Sequence, residues 1–469
     1  MIPTYLYGYD KFQQLKNSLH YFNSEYERLK KNMKEYDRIF VGDCHGDIYQ
    51  FLSPLILSGF ATINSEELKY KYITRYGKIV NNNSDIAKND KSKIFRAING
   101  KNINDIYEIP EELDYMLTVP IPSLSYHPEV LENKKIIYLG DYIDRGNLSK
   151  TILILIDEIS NISNNIVFIC GNHELYHLYI YKCFINAKEE RLMEKHRFYW
   201  NFLFTFTASY KKFIGTKTPI SIHGDTVLYD GNREKGLKLL FYTMIGEIML
   251  TKNIYEKKKF VLSDYYDNFI VIHNVINSNT LKKYIEYFNA EEKNIPLDYK
   301  KIKKMENKLM NNISISNEDY KYLSDELNRA FFEYEWDALI WSSILLERID
   351  KNMYFNCITG HTVGASKKLL NINNLDSYSD EDRNKKLTPF IPFGQKNKIY
   401  FFDFGVTFAE DEYNYSKPDF VFFKNGKAIG ISRLDAVRFS LERYKNKIFI
   451  DKYKSDYYQK ILINEENKN

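Results

Sequence analysis

The sequence predicts an α/β fold built on parallel strands, and three observations indicate this class. Three short apolar runs, each typical of a buried strand, lead directly into turns rich in glycine and polar side chains. The second and third of these turns are separated by the length of one helix and one strand, as in a βαβ unit. The chain has 469 residues, of which 44% are hydrophobic and 27% charged, so it can bury a large core.

The first elements of the predicted fold lead into the first polar turn. Apolar side chains at helical spacing predict an N-terminal helix within residues 1–36. A strand at residues 38–42 follows and ends in the turn Gly42–Asp47 (GDCHGD). The next segment, Ile48–Phe60, again has the apolar spacing of a helix.

The chain then changes character, because polar runs and several prolines replace the apolar pattern over residues 61–133. We interpret this stretch, and a second one over residues 190–262, as large and mostly helical insertions. Insertions of this kind commonly carry substrate specificity or bind a protein partner. The predicted organisation is one domain over residues 37–450, with its core at 37–60, 134–190 and 262–410, followed by a C-terminal tail at 451–469.

The second and third polar turns form the centre of the predicted fold. Gly140–Gly146 (GDYIDRG) follows the apolar run 136–139, and Gly171–Glu174 (GNHE) follows the run 166–170. A crossover helix over Leu148–Ile159 connects them, so both turns are expected at the carboxyl ends of neighbouring parallel strands. Charged side chains without partners are costly to desolvate, so such turns indicate a functional site rather than a stabilising one.

The second half of the chain adds strands that end in histidines. His273 follows the apolar run Asn268–Ile272, and His361 lies in the turn Gly360–Thr362 (GHT). A shorter apolar run ends at His223, so His223 and His273 are alternatives for a single site residue in the middle of the chain. We favour His273, because its strand is the better one and lies directly before the C-terminal half.

Charge and cysteine content limit the classes of function. The net charge of +4 is nearly balanced for so long a chain, so neither nucleic acid nor an acidic membrane is expected as a partner. No apolar run reaches the ~18 residues that span a bilayer, and the N-terminus lacks a signal-peptide pattern. The four cysteines do not form a disulfide framework, so a cytoplasmic location is expected, with delivery into a host cell left open.

The polar turns together supply carboxylate, amide and imidazole donors. This mixture suits Mn, Fe or Zn better than Ca or Mg. Six such donors are too many for one tetrahedral site, whereas two divalent ions that share a carboxylate would use them all, and such a pair promotes displacement at phosphorus. The predicted metal ligands are Asp43, His45, Asp141, Asn172, one of the two mid-chain histidines and His361.

The same turns offer groups that would act on a phosphorylated substrate. Arg145 has the planar guanidinium that binds phosphoryl oxygens in a bidentate manner. His173 directly follows Asn172, so we expect it on the substrate side, where it would protonate the leaving oxygen. Asp144 is well placed to orient that imidazole.

At this point the turns resemble the signature blocks of a known family, the phosphoprotein phosphatase (PPP-type) branch of the calcineurin-like metallophosphoesterases. The resemblance covers rather less than two thirds of the chain. It implies a metallo-dependent phosphatase fold, in which two mixed β-sheets pack face to face and are flanked by helices, with a dinuclear metal centre at the strand ends. The blocks that carry the resemblance are GDCHG at 42–46, GDYIDRG at 140–146, GNHE at 171–174 and GHT at 360–362.

The resemblance also implies a role for each site residue. Arg145 would bind phosphate, and His173 with Asp144 would form an acid dyad. The second phosphate-binding arginine of the family is not clearly placed, and Arg348 is the candidate. Val363 stands where related nucleases and cyclic phosphodiesterases carry a further histidine, which favours the phosphatase branch. Asp43 and His45 would hold the first metal, Asp141 would bridge, and Asn172, His273 (or His223) and His361 would hold the second.

The expected activity is that of a metal-dependent protein phosphatase. By the resemblance, it would hydrolyse phosphoserine or phosphothreonine, or else phosphotyrosine, directly with a metal-bound hydroxide. Two alternatives stay open at this point. One is a hydrolase of dinucleotide polyphosphates of the diadenosine-polyphosphate type, which resembles the same core. The other is a catalytically silent scaffold whose insertions bind a protein partner.

Overall fold

Two β-sheets packed face to face, with helices on the outer side, form the centre of the described structure. Of the predicted N-terminal helix, Leu19 and His20 are described and both are helical, whereas the predicted tail at 451–469 lies outside the described residues. The computed structural model describes residues 19–20, 35–74, 79–81, 116–143, 148–181, 220–222, 225–227, 247–276, 299–334, 355–361, 387–391, 396–403 and 420–431.

The described residues contain both helices and strands, and strands dominate the last part. In chain order the elements are β1 (Arg38–Val41), α1 (Ile48–Leu57), β2 (Ala61–Thr74), β3 (Ile79–Asn81), β4 (Met116–Tyr126), a 3-10 helix (Pro128–Leu131), β5 (Lys135–Tyr138), α2 (Ser149–Ile159), β6 (Ile166–Ile169), α3 (Asn172–Ile180), β7 (Ile220–Ile222), β8 (Asp225–Val227), a helical segment at 247–256, β9 (Phe260–Val261), β10 (Ser263–Tyr266), β11 (Phe269–Ile272), α4 (Tyr299–Met310), α5 (Asn317–Tyr334), β12 (Cys357–Thr359), β13 (Ile399–Phe401), β14 (Phe420–Lys424) and β15 (Lys427–Ile431).

The larger sheet has six strands in the order β15-β14-β1-β5-β6-β9. The strands β1, β5, β6 and β9 pair in parallel, and β14 pairs antiparallel with both β1 and β15. The smaller sheet has the order β10-β11-β12-β13, in which the last three strands are parallel and β10 is antiparallel. Both sheets are therefore mixed, and the predicted α/β fold class is confirmed.

The core between the two sheets follows from the side-chain alternation of the strands. Phe40 in β1 faces the smaller sheet, whereas its neighbours Ile39 and Val41 belong to the core on the helical side. Strands that are buried on both faces need apolar residues at every position, which explains the continuous apolar runs in the sequence. The rings of Phe40 and Phe423 lie 4.8 Å apart, edge to face, inside the sandwich.

The helices α1 and α2 come after the first and second polar turns in the sequence, and α3 begins within the third. The carboxylate of Asp47 caps α1 by accepting hydrogen bonds from the backbone N–H groups of Tyr49 and Gln50. The crossover helix α2 begins one residue later than predicted and joins the parallel neighbours β5 and β6. Among the described residues, no helix is both long enough and apolar enough to cross a membrane.

The described part of the first predicted insertion is a sheet, so the expectation of a mostly helical insertion is wrong there. The strands β3, β2 and β4 form a three-stranded antiparallel sheet, in which Tyr70 is paired with Pro120. Pro120 and Pro122 lie within β4, and prolines in a strand remove backbone donors, which is why this segment has the sequence character of a loop. The described part of the second insertion contains both strand and helix: β7 and β8 form a small hairpin, and residues 247–256 are helical.

The boundaries of the core also differ from those predicted. Strand β9 belongs to the larger sheet, although residues 190–262 are predicted as an insertion. The hairpin of β14 and β15 adds two further strands to the same sheet, beyond the predicted end of the core at residue 410. Strand β9 has only two residues, too few for an apolar pattern to identify it.

Candidate metal centre

The first two polar turns are held together by backbone hydrogen bonds at the carboxyl ends of β1 and β5. The carbonyl oxygen of Asp141 accepts from the N–H groups of Cys44, at 3.0 Å, and His45, at 2.7 Å. The N–H of Gly46 donates to the carbonyl oxygen of Tyr142 at 2.7 Å. Parallel neighbouring strands end at the same edge of a sheet, so these contacts follow from the topology.

Three of the candidate ligands have a left-handed backbone. The φ angles are 45° at His45, 49° at Asp141 and 61° at His361. This region is uncommon for residues with a side chain and is concentrated at functional sites. Gly140 precedes Asp141 with a φ of 110°, and a Cβ atom there would lie 2.6 Å from the Nδ1 atom of His273. The turn thus requires glycine at position 140.

One group of possible metal donors consists of His45, Asp141 and His173. The Nε2 atoms of His45 and His173 lie 3.7 Å and 3.8 Å from the same oxygen, Oδ2 of Asp141. The two imidazole rings are 4.8 Å apart and nearly perpendicular. Asp43 lies beside this group, with its Oδ2 atom 4.0 Å from Nε2 of His45.

A second group consists of Asp141, His273 and His361, and it shares Asp141 with the first. The Nε2 atom of His273 lies 3.3 Å from Oδ2 of Asp141 and 3.1 Å from Nδ1 of His361. The same Nε2 atom is 2.9 Å from the side-chain oxygen of Asn172. These four residues come from three different strand ends and the first position of α3.

Hydrogen bonds at the far side of two imidazoles determine which nitrogen faces the cluster. The Nδ1 atom of His273 is 2.7 Å from the carbonyl oxygen of Leu139, and that of His45 is 3.0 Å from the carbonyl oxygen of Ile143. A carbonyl oxygen only accepts, so each Nδ1 carries a proton, and Nε2 is the nitrogen that faces the cluster and that a metal would bind. Metal-ligating histidines typically have this arrangement, so these residues fit divalent metals.

The charged groups of the cluster are close together and shift one another's pKa. Burial alone would raise the pKa of Asp141, but the neighbouring imidazoles, His273 and His173 first, lower it well below its usual value. Burial raises the pKa of Asp43 well above its usual value, and the nearby carboxylate of Asp403 raises it further. Burial would lower the pKa of His273, but Asp141 and Asp43 outweigh it and raise that pKa to about 10. Positive charge is therefore strongly favoured at the centre of this cluster.

Asp43 also connects the first turn to the last. Its two carboxylate oxygens accept from the backbone N–H of His361, at 3.0 Å and 3.1 Å. A Cβ atom at Gly360 would lie only 2.3 Å from one of these oxygens. Asp403, at the end of β13, is buried beside Asp43, and the sequence reasoning gave it no role.

Glu174 is a further site residue that the sequence reasoning did not assign. It is fully buried. Its Oε2 atom accepts from the N–H groups of Asp141 and Gly171, at 3.0 Å and 2.9 Å, and its Oε1 atom accepts from Tyr142, at 2.8 Å, and Ile143, at 3.3 Å. Glu174 thus holds the backbone of the second turn against the start of α3. The sequence feature that could have identified this role is the position of Glu174 as the third residue of a helix, where glutamate commonly accepts a hydrogen bond from the backbone N–H of the N-cap residue.

The structure brings most of the predicted site residues together and leaves the others undescribed. Four of the predicted residues, Asp144, Arg145, His223 and Arg348, lie outside the described residues. The residues that meet at the strand ends are Asp43, His45, Asp141, Asn172, His173, His273 and His361.

Comparison with known proteins gives one match. A family model described as calcineurin-like phosphoesterase matches residues 36–303, which is more than half of the chain. The matched segment runs from the start of the larger sheet to α4, and it includes His273, whereas His361 lies beyond it. No curated protein and no solved structure matches the chain in the corresponding comparisons.

Proposed function

Because the chain belongs to the calcineurin-like phosphoesterase family, we propose that it is a phosphomonoesterase that acts on phosphoproteins. The family itself implies metal-dependent hydrolysis of phosphoesters. The choice of phosphoproteins is supported by the resemblance of the second turn, Gly140–Gly146, to the phosphatase version of this motif, which includes an arginine. Phosphoserine and phosphothreonine are the proposed substrates, with phosphotyrosine as the variant to test.

The observation that best supports the proposal is the pair of donor groups that share Asp141. A carboxylate common to two groups of donors is what a dinuclear centre requires. We propose His273, rather than His223, as the mid-chain ligand, because its Nε2 atom faces Asp141 and Asn172. The first ion would be held by Asp43, His45 and Asp141, and the second by Asp141, Asn172, His273 and His361.

Divalent ions bound there, with Mn, Fe or Zn favoured by the donor atoms, would supply Lewis acidity: they would neutralise charge on the phosphoryl oxygens and lower the pKa of water so that hydroxide is available to attack phosphorus. The protein would supply the remaining interactions. Arg145 would bind the phosphoryl oxygens, with Arg348 as the candidate for a second contact. Asp144 would orient the imidazole of His173, which would protonate the leaving oxygen.

The exposure of His173 supports its proposed role as an acid. Its side chain is 12% exposed, whereas those of His45 and His273 are 3% and 1% exposed. An acid must reach the leaving group of a substrate, and this exposure permits it, although His361, a proposed ligand, is also only partly buried. The backbone N–H of His173 donates to Oδ1 of Asp141, so its position is tied to the proposed bridging residue.

The test is hydrolysis of p-nitrophenyl phosphate by the full chain, first stripped of metal and then supplied with Mn²⁺. We expect metal-dependent turnover that is lost in Asp141→Asn and retained in Asp319→Asn, the same substitution at a partly buried ion pair away from the site. Phosphopeptides and a diadenosine polyphosphate are then compared as substrates. Faster hydrolysis of the dinucleotide would overturn the phosphoprotein proposal, and absence of turnover with every divalent metal would favour the scaffold alternative.

A further inference from the structure

A second buried group of ionisable side chains lies between three helical segments, one helical turn from His173. The Nζ atom of Lys150 is 3.0 Å from Oε2 of Glu247, and the two side chains are 9% and 1% exposed. The Nε2 atom of His177 lies 3.8 Å from Oε1 of Glu247. The Nδ1 atom of His177 is 3.3 Å from the hydroxyl of Thr251. We call these four residues the Glu247 cluster.

The elements that contribute to the Glu247 cluster lead to residues that the proposed function uses. Lys150 lies in the first turn of α2, five residues after Arg145, the proposed phosphate-binding residue, in the sequence. His177 lies four residues after His173 in α3, and residues at this spacing are neighbours on one side of a helix. Glu247 belongs to the helical segment 247–256, which forms part of the second predicted insertion. The second insertion thus contacts α2 and also α3, the helix that carries His173.

Stability alone is a weak explanation for the buried ion pair. Desolvation offsets the attraction between two buried charges, and apolar residues of similar volume are often as stable or more so. The two helices are also tethered at their other ends, where Nζ of Lys257 is 2.7 Å from Oδ1 of Asp157. There Lys259 also donates to the carbonyl oxygen of Ser160 at 3.0 Å. The pair between Lys150 and Glu247 therefore adds a contact at the ends of the helices nearest the site.

We propose that Glu247 is a positioning residue for phosphoester hydrolysis. Through Lys150 it fixes the first turn of α2. Its carboxylate also packs against His177, at 3.8 Å, in the helix that carries His173, and Thr251 of the same helical segment contacts Nδ1 of His177 at 3.3 Å. This inference rests on the proposed function, since it assigns Glu247 a part in that reaction, and it makes the second insertion a contributor to the catalytic geometry.

The test uses two substrates that differ in their need for an acid. Protonation matters for a poor leaving group, as in phenyl phosphate, and little for a good one, as in 2,4-dinitrophenyl phosphate. The variants are Glu247→Gln and the double variant Lys150→Met/Glu247→Leu, which replaces the ion pair with apolar side chains. We expect kcat for phenyl phosphate to fall about tenfold or more and kcat for the dinitrophenyl ester to fall less than about threefold, with unchanged metal content.

The control is Asp157→Asn, which removes the tether at the other end of the same two helices and should keep the wild-type ratio of the two kcat values. Equal losses on both substrates, or no loss, would overturn the inference, because a folding defect does not depend on the leaving group. If one of the two test variants does not fold, the other decides. A wild-type protein that hydrolyses neither ester refutes the proposed function instead, so the two failures are distinguishable.

Discussion

Replacing Gly140 with alanine should destabilise the protein and disturb the candidate metal centre at the same time. The backbone φ of Gly140 is 110°, which residues with a side chain rarely adopt. The new Cβ atom would lie 2.6 Å from Nδ1 of His273 and 2.9 Å from backbone atoms of Gly171. The backbone contact cannot be relieved by turning a side chain, so both the turn and the imidazole have to move.

The expected cost has two parts. Holding alanine at this φ costs about 1–3 kcal/mol. Forcing an extra methyl group into a close-packed site costs about 1–3 kcal/mol more. The free energy of unfolding should therefore fall by about 2–6 kcal/mol, a large fraction of the roughly 5–15 kcal/mol that stabilises a typical protein. The hydrogen bond between Nδ1 of His273 and the carbonyl of Leu139 should be lost, which removes the orientation of its Nε2 atom.

Gly59→Ala is the matched control, because Gly59 has a φ of 81° but no atom within 4 Å of the position of a Cβ atom. This substitution should lower the free energy of unfolding only through backbone strain, by about 1–2 kcal/mol, and leave the metal content unchanged. Urea unfolding gives both free energies, and elemental analysis of the purified proteins gives the metal content. The reasoning is refuted if Gly140→Ala loses no more stability than Gly59→Ala, or keeps its full metal content.

Three further predictions concern the core, a buried histidine and the proposed acid dyad. Phe40→Ala should lower the free energy of unfolding in urea by about 3–5 kcal/mol, against less than about 0.5 kcal/mol for the exposed Ile162→Ala. Burial lowers the pKa of His177 to about 3, so the unfolded chain binds an extra proton between about pH 3 and 6.5 and the native state is destabilised as pH falls through this range. When the pH falls from 7 to 5, the free energy of unfolding should therefore decrease by about 2 kcal/mol less in His177→Gln than in the wild type. An equal decrease in both proteins would contradict the burial argument. Asp144→Asn should lower turnover of phenyl phosphate, whose poor leaving group needs an acid, and leave the metal content unchanged, and full activity would exclude Asp144 from the dyad.

The elements nearest the candidate metal centre could be predicted from the sequence because their signals are local. The strand Phe269–Ile272 and the crossover helix α2 have apolar runs of the right period, bounded by glycine or polar residues. The turns at Asp43, Asp141 and Asn172 are short motifs in which the donors are close in sequence. Parallel pairing then brings them to one edge of the sheet without further information.

The remainder could not be predicted because it depends on contacts between distant residues. The pairing of β2 with β4 brings Tyr70 beside Pro120, and prolines in a segment do not suggest a strand. The pairing of β14 with β1 joins the two ends of the described chain, which no local pattern records. The role of Glu174 was missed for a related reason, because its partners are backbone N–H groups, which all residues except proline possess.

The hydrogen bonds between Asp43 and the backbone of His361 have a consequence for biosynthesis. The two residues are 318 positions apart, and β14, which covers β1, is made later still. For most of the time that the chain is being synthesised, Asp43 in the first turn therefore lacks its hydrogen bonds from His361. During the same time, the edge of β1 that β14 later covers is open. Contacts of this range make folding slow, and open strand edges pair with other chains. We therefore expect a chain truncated before residue 420 to aggregate during expression, and the full chain to acquire metal only after its synthesis is complete.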